Sequence, residues 1–254
     1  MILAIEIGNT YTVLGCLNDT DILFIERIST KTEETDFEYA VQFKTLFDIY
    51  NIDIESIEGT IISSVVPPMV EIIKNAVNKI IHKPIKIVGP GLKTGINIKM
   101  DNPASVGTDL IVNAVGALSQ YKPPFLVILM GTATTISVID KNGSYIGGTI
   151  MPGVEVALES LVENTAQLPQ IRIKDNGHVI GKNTVECMQN GVTLGAAASV
   201  DGLIDRIEEE LGYTTTGIVT GIFGQRVVKY MKKKVIYDEK ISLLGLKAIY
   251  DKNR

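Results

Sequence analysis

A chain of 254 residues, 45% of them hydrophobic and 21% charged, excludes a disordered polymer and allows one large core or two of ordinary size. Its formal net charge of −5 removes the electrostatic case for nucleic acid, and the one basic cluster, Lys229 with Lys232, Lys233 and Lys234, reads as a solvated loop or helix end. No stretch approaches the ~18–20 uncharged apolar residues of a membrane span and Glu6 interrupts the only apolar run near the N-terminus, so a cytoplasmic protein without a membrane partner is expected.

In chain order, residues 3–15 alternate apolar positions on both sides of Gly8-Asn9-Thr10, which predicts two strands joined by a tight hairpin. The turn combines a residue free to adopt positive φ, an amide and a hydroxyl, with Glu6 just before it. Such a turn can offer N–H groups to a phosphate and a carboxylate to a metal ion; it is equally a sound structural turn with no ligand. Residues 126–140 repeat the design around Gly131-Thr132, and two such hairpins, one opening each half, suggest two similar domains holding a nucleotide's phosphates between them.

A third strand is predicted over 21–28, then a helix from an N-cap at Thr35 to about Tyr50. A buried-type strand follows at 59–65, a helix opened by Pro67-Pro68, and a strand at 84–88. Three strands, then helix, strand, helix, strand, is the layout of an RNase H-like domain, the half-unit of the actin, hexokinase and Hsp70 superfamily. Residues 101–109 feed a helix over 110–121 and leave Asp109 at its N-terminus, as a dipole-compatible cap or as a catalytic base.

The second half repeats the meander with a third strand at 144–150 and a helix from Pro152-Gly153. Gly191 and Gly195 predict a kink or close packing in the long helix over 185–211. A buried strand ends at Thr220-Gly221, where a base or ribose could rest, and a last helix spans 243–250. Cys16 and Cys187 are far apart with no His at a ligand's spacing, so both are expected as buried thiols; His82 and His178 are isolated in sequence. The expected organisation is two tandem α/β domains, 1–121 and 122–254, facing a nucleotide cleft.

Read together, Ile5-Glu6-Ile7-Gly8-Asn9-Thr10, Asn102-Pro103 with Val106-Gly107-Thr108-Asp109, Gly131-Thr132-Ala133-Thr134-Thr135, Gly147-Gly148-Thr149-Ile150-Met151-Pro152-Gly153 and Gly181-Lys182-Asn183-Thr184 occur in an order that resembles the type III pantothenate kinases. Gln189-Asn190-Gly191-Val192 and Val200-Asp201-Gly202-Leu203 extend the resemblance over essentially the whole chain. It implies a homodimer and ATP-dependent phosphorylation of pantothenate to 4′-phosphopantothenate, the first step toward coenzyme A. Asp109 falls on the family's proton acceptor. Glu6, Gly8, Asn9, Thr10, Thr12 and Val13 fall on the first nucleotide loop, and Gly131 and Thr132 on the second. Met100, Gly107, Thr108, Asp109, Leu110 and Thr184 fall where the family contacts pantothenate, in a pocket completed by the partner subunit. Mg²⁺ is implied because phosphoryl transfer needs charge neutralised on the transferred group.

Five positions depart from the resemblance, Ser137 among them, where the family's hairpin commonly carries an acidic residue. Glu6 replaces an Asp, and its longer arm shifts a carboxylate that would serve Mg²⁺. Leu129 replaces an Asp that holds an activating K⁺ or NH₄⁺ in the family, and leucine offers a hard cation no oxygen. Leu110 replaces an Arg, removing a multi-donor handle, and Met100 replaces a Tyr, removing a hydroxyl. Two alternatives to the ordinary kinase follow: a catalytically degenerate homodimer that binds ligands or regulates, and a kinase for another small hydroxylated substrate.

Overall fold

The structure, a computed structural model, describes residues 1–254. β1 (Ile2–Ile7) and β2 (Tyr11–Leu17) form the first antiparallel hairpin, and β3 (Ile22–Ser29) extends the meander. α1 (Asp36–Ile49) begins at a capping box in which Glu38 N–H donates to Thr35 Oγ1 at 3.3 Å and Thr35 N–H donates to Glu38 Oε2 at 2.7 Å. β4 (Gly59–Ser64) then pairs parallel to β1, α2 (Pro67–Ile80) follows with proline in its first turn, and β5 (Ile85–Ile87) pairs parallel to β4. The sheet order is β3-β2-β1-β4-β5. α3 (Thr108–Gln120) completes this half of the chain.

The second sheet repeats the first. β6 (Phe125–Met130), β7 (Ala133–Ile139) and β8 (Tyr145–Pro152) form the meander. α4 (Val154–Glu163) and α5 (Thr184–Leu211) precede β9 (Thr216–Thr220), which pairs parallel to β6. A short α6 (Gly224–Val227) leads to β10 (Val235–Tyr237), parallel to β9. The order β10-β9-β6-β7-β8 is the first order read in reverse, so both sheets carry the RNase H-like arrangement.

The contacts divide the chain into two compact units, Met1–Ile96 with Asp101–Gln120 and Lys240–Arg254, and Asn97–Met100 with Tyr121–Glu239. The last helix, α7 (Ile241–Lys252), thus belongs with the first sheet. Strand parity explains what it does there. Leu3, Ile5 and Ile7 face a core with Tyr39, Phe43, Phe47, Met69 and Ile73 of α1 and α2. Ile2 and Ala4 point the other way, into a core with Val112 and Val115 of α3 and Leu243, Leu246 and Ile249 of α7. Glu6 shares that parity, so β1 delivers its only charged side chain to the face covered by α3 and α7.

The two covering helices touch backbone to backbone. A Cβ on Gly116 would lie 1.9 Å from the Ile241 carbonyl oxygen, and one on Gly245 would lie 1.9 Å from that of Val112. No side chain fits at either position.

Several expectations are corrected. Gly8 does not adopt positive φ; it is required because a Cβ there would sit 2.9 Å from the Tyr11 carbonyl oxygen that its own N–H bonds at 3.0 Å. α5 runs unbroken through Gly191 and Gly195, and neither glycine has anything within 4 Å of its Cβ position, so they neither break the helix nor admit a neighbour within this chain. Cys16 is a buried thiol as expected, whereas Cys187 is exposed, because the inward stripe of α5 starts one residue later with Met188, Gln189 and Asn190.

Candidate active site

The site residues of the first unit gather where β1, β4, α3 and α7 meet. Glu6 pairs with Val13 of β2 and with Ser63 of β4, which is 1% exposed. Asn113 of α3 directs its Nδ2 to Glu6 Oε1 at 3.5 Å, and the Ser242 hydroxyl of α7 lies beside the same carboxyl and favours its ionised form. Burial pushes Glu6 up to about 7, opposed first by the Ser242 bond; the Asp109 charge raises it further, while Asn113 and Arg27 favour the ionised form. The like charge of Asp109 thus adds to the rise at Glu6.

Asp109 occupies the first turn of α3, where its carboxylate accepts bonds from its own N–H and that of Leu110. Burial, the largest cause, outweighs those bonds and raises the carboxyl above its ordinary value. The carboxylate folds back over Gly107: a Cβ at that glycine would lie 2.5 Å from Asp109 Oδ1. Thr108 anchors the turn to the sheet by donating to the Ser64 carbonyl oxygen at 3.0 Å. Leu110 is half-buried beside them.

At the first hairpin Asn9 is exposed and Thr10 half-buried, while Thr12 is fully buried with its hydroxyl 2.9 Å from that of Thr30. Val13 is half-buried on β2. The second unit holds the remaining positions. Its hairpin closes through the Gly131 N–H to the Ala133 carbonyl at 3.0 Å, with Thr132 exposed. Gly153, the residue before α4, abuts that turn, since a Cβ there would meet the Gly131 oxygen at 2.2 Å. Gly221 follows β9 with φ +94°, and a Cβ there would lie 2.5 Å from the Met130 oxygen. Leu129 is half-buried and in register with Thr135 and Thr220. Met100 lies beside Gly147, and Thr184 is exposed at the first position of α5.

Asn113 and Ser242 were not among the residues singled out from sequence. The available signal was an amide one helical turn after Asp109 in an otherwise apolar run, at a position that proves 1% exposed. No comparable signal marked Ser242, which reaches the site only because α7 returns to the first sheet.

A sequence model of the type III pantothenate kinase family matches residues 2–206. A type III pantothenate kinase of Halalkalibacterium halodurans is 39% identical over 253 residues, covering 100% of both chains. One of Exiguobacterium sibiricum is 41% identical over 254 residues, again covering 100% of both. Among solved structures, the activator of the 2-hydroxyisocaproyl-CoA dehydratase of Clostridium difficile, which carries bound ADPNP, superposes with a TM-score of 0.55 at 13% identity. The match covers 99% of this chain and 95% of that one, a likeness of fold.

Proposed function

The chain belongs to the type III pantothenate kinase family, and on that premise we propose that it transfers the γ-phosphoryl group of ATP to the primary hydroxyl of pantothenate. The observation that carries the reading is Asp109, whose carboxylate is held over Gly107 at the start of α3 in the unit that also holds Glu6. The hydroxyl oxygen attacks phosphorus as the bond to the ADP oxygen breaks, and its proton passes to the Asp109 carboxylate. A carboxylate made more basic by burial is suited to that task. Gly8, Asn9, Thr10 and Thr12, with Glu6 and Val13 beside them, are assigned to the nucleotide, as are Gly131 and Thr132. Gly107, Thr108, Leu110, Met100 and Thr184 are assigned to pantothenate.

The donor chemistry of the first unit suits Mg²⁺. Glu6 supplies a carboxylate, and Ser63 Oγ on the neighbouring strand is a buried oxygen without a hydrogen-bond partner. When bound, the ion would neutralise charge on the transferred group. The second unit does not suit a monovalent cation at the family position: Leu129 presents only carbon, and no step is assigned to such an ion.

A homodimer is favoured by the second unit's surface, where Val179 and Ile180 are 73% and 81% exposed and the α5 glycines stand open. No helix is long and apolar enough to cross a membrane, in keeping with a cytoplasmic enzyme. The test is ADP release by the purified chain with ATP, Mg²⁺ and pantothenate, with the molecular mass read by light scattering. Turnover by a dimer is expected; ATP binding without turnover would overturn the kinase reading.

A further inference from the structure

Asn113 is a costly residue to keep where it is. It lies inside α3 at 1% exposure, an amide is a poor helix former, and its Oδ1 has no partner in the protein. What it does is bridge. Its Nδ2 donates to the main-chain oxygen of Asp109 at 2.8 Å and faces Glu6 Oε1 at 3.5 Å, so one side chain touches both acidic residues. From the opposite helix Ser242, 6% exposed in the first turn of α7, brings its hydroxyl to the same Glu6 carboxyl. The helices carrying these two groups are fixed to each other by the reciprocal contact at Gly116 and Gly245, which leaves no slack for either to retreat.

We propose that Asn113 and Ser242 are positioning residues that clamp the Glu6 carboxyl between α3 and α7 and set its distance from Asp109. The inference rests on the phosphoryl-transfer reading above for its effect on rate, though the clamp itself is a property of the fold. It also assigns a task to the C-terminal helix, which lies beyond the residues matched by the family model. A glutamate has one more rotatable bond than an aspartate, so a longer carboxylate arm needs restraint from its neighbours if it is to present one geometry.

The decisive comparison is Ser242→Ala against Ser242→Thr. The alanine variant is expected to lower kcat about tenfold while KM for pantothenate stays within about twofold, and threonine, which restores the hydroxyl, is expected to recover most of the rate. Asn113→Ala is expected to cost about a hundredfold in kcat; where that variant does not fold, the Ser242 pair still decides. An unchanged kcat in folded Ser242→Ala, or an equal loss in Ser242→Thr, would overturn the clamp. A wild-type chain that turns over no pantothenate would instead sink the kinase reading. The clamp is then judged by urea unfolding of Glu6→Gln, Ser242→Ala and the double variant without metal: non-additive midpoints support it, and additive ones end it.

Discussion

The two hairpins that open the two halves share a backbone and differ in what the backbone presents. In each, a strand is followed by a glycine whose N–H closes the turn at 3.0 Å, and in each the strand pairs antiparallel on one side and parallel on the other. Two residues before the glycine stands Glu6 in the first unit and Leu129 in the second. Glu6 meets an amide, a hydroxyl and a second carboxylate, while Leu129 lies in register with two threonines. A repeated scaffold thus places a carboxylate two residues before the turn on one copy only, and the other copy keeps the turn without the charge.

The largest test of that asymmetry is removal of the carboxylate of Asp109, the base proposed above. Asp109→Asn should lower kcat by about a thousandfold with an unchanged circular-dichroism melt, as expected for loss of a general base. A retained rate would strip Asp109 of its role.

Next is the electrostatic strain at Glu6. Its folded value of about 7 stands above the ordinary 4.5, so the stability it contributes is full below pH 4.5 and lost as pH rises through 7. Glu6→Gln, which keeps the shape without the charge, should therefore stabilise the metal-free protein by about 3 kcal/mol at pH 8 and confer nothing below pH 4.5. Urea unfolding at the two pH values measures the difference; equal effects at both would remove the burial argument.

Gly107→Ala should displace the Asp109 carboxylate and lower kcat about tenfold, read from steady-state kinetics, with little change in ATP binding by calorimetry. The smallest effect is expected in the second unit, where adding potassium or ammonium should change the wild-type rate by less than about twofold. A strong stimulation would show that oxygens other than a residue-129 carboxylate hold the ion.

Much of the architecture was legible because it is local. Alternation on either side of Gly8 and Gly131 gave both hairpins, and Thr35 with Glu38 marked the start of α1 down to its reciprocal bonds. Gly107-Thr108-Asp109 marked the start of α3. What escaped is non-local. β10 is a three-residue strand with no periodicity to read, and it exists because β9 offers it an edge. The continuity of α5 through Gly191 and Gly195, neither of which meets a neighbour, carries no local signal either. The clamp on Glu6 depends on α7 returning to the first sheet, which no short spacing encodes; Gly116 and Gly245, each a lone glycine in an apolar helix, were the only trace of it.

That return has a consequence for how the chain is made. The first sheet leaves the ribosome early, but the face bearing Ile2, Ala4 and Ile61, which α3 covers only in part, is not closed until Lys240–Arg254 have been synthesised. The second unit needs nothing later than Glu239. The half begun last is therefore the half that can finish first, and a nascent chain halted at Glu239 holds a completed second unit beside a first one still showing its apolar face to solvent and chaperones.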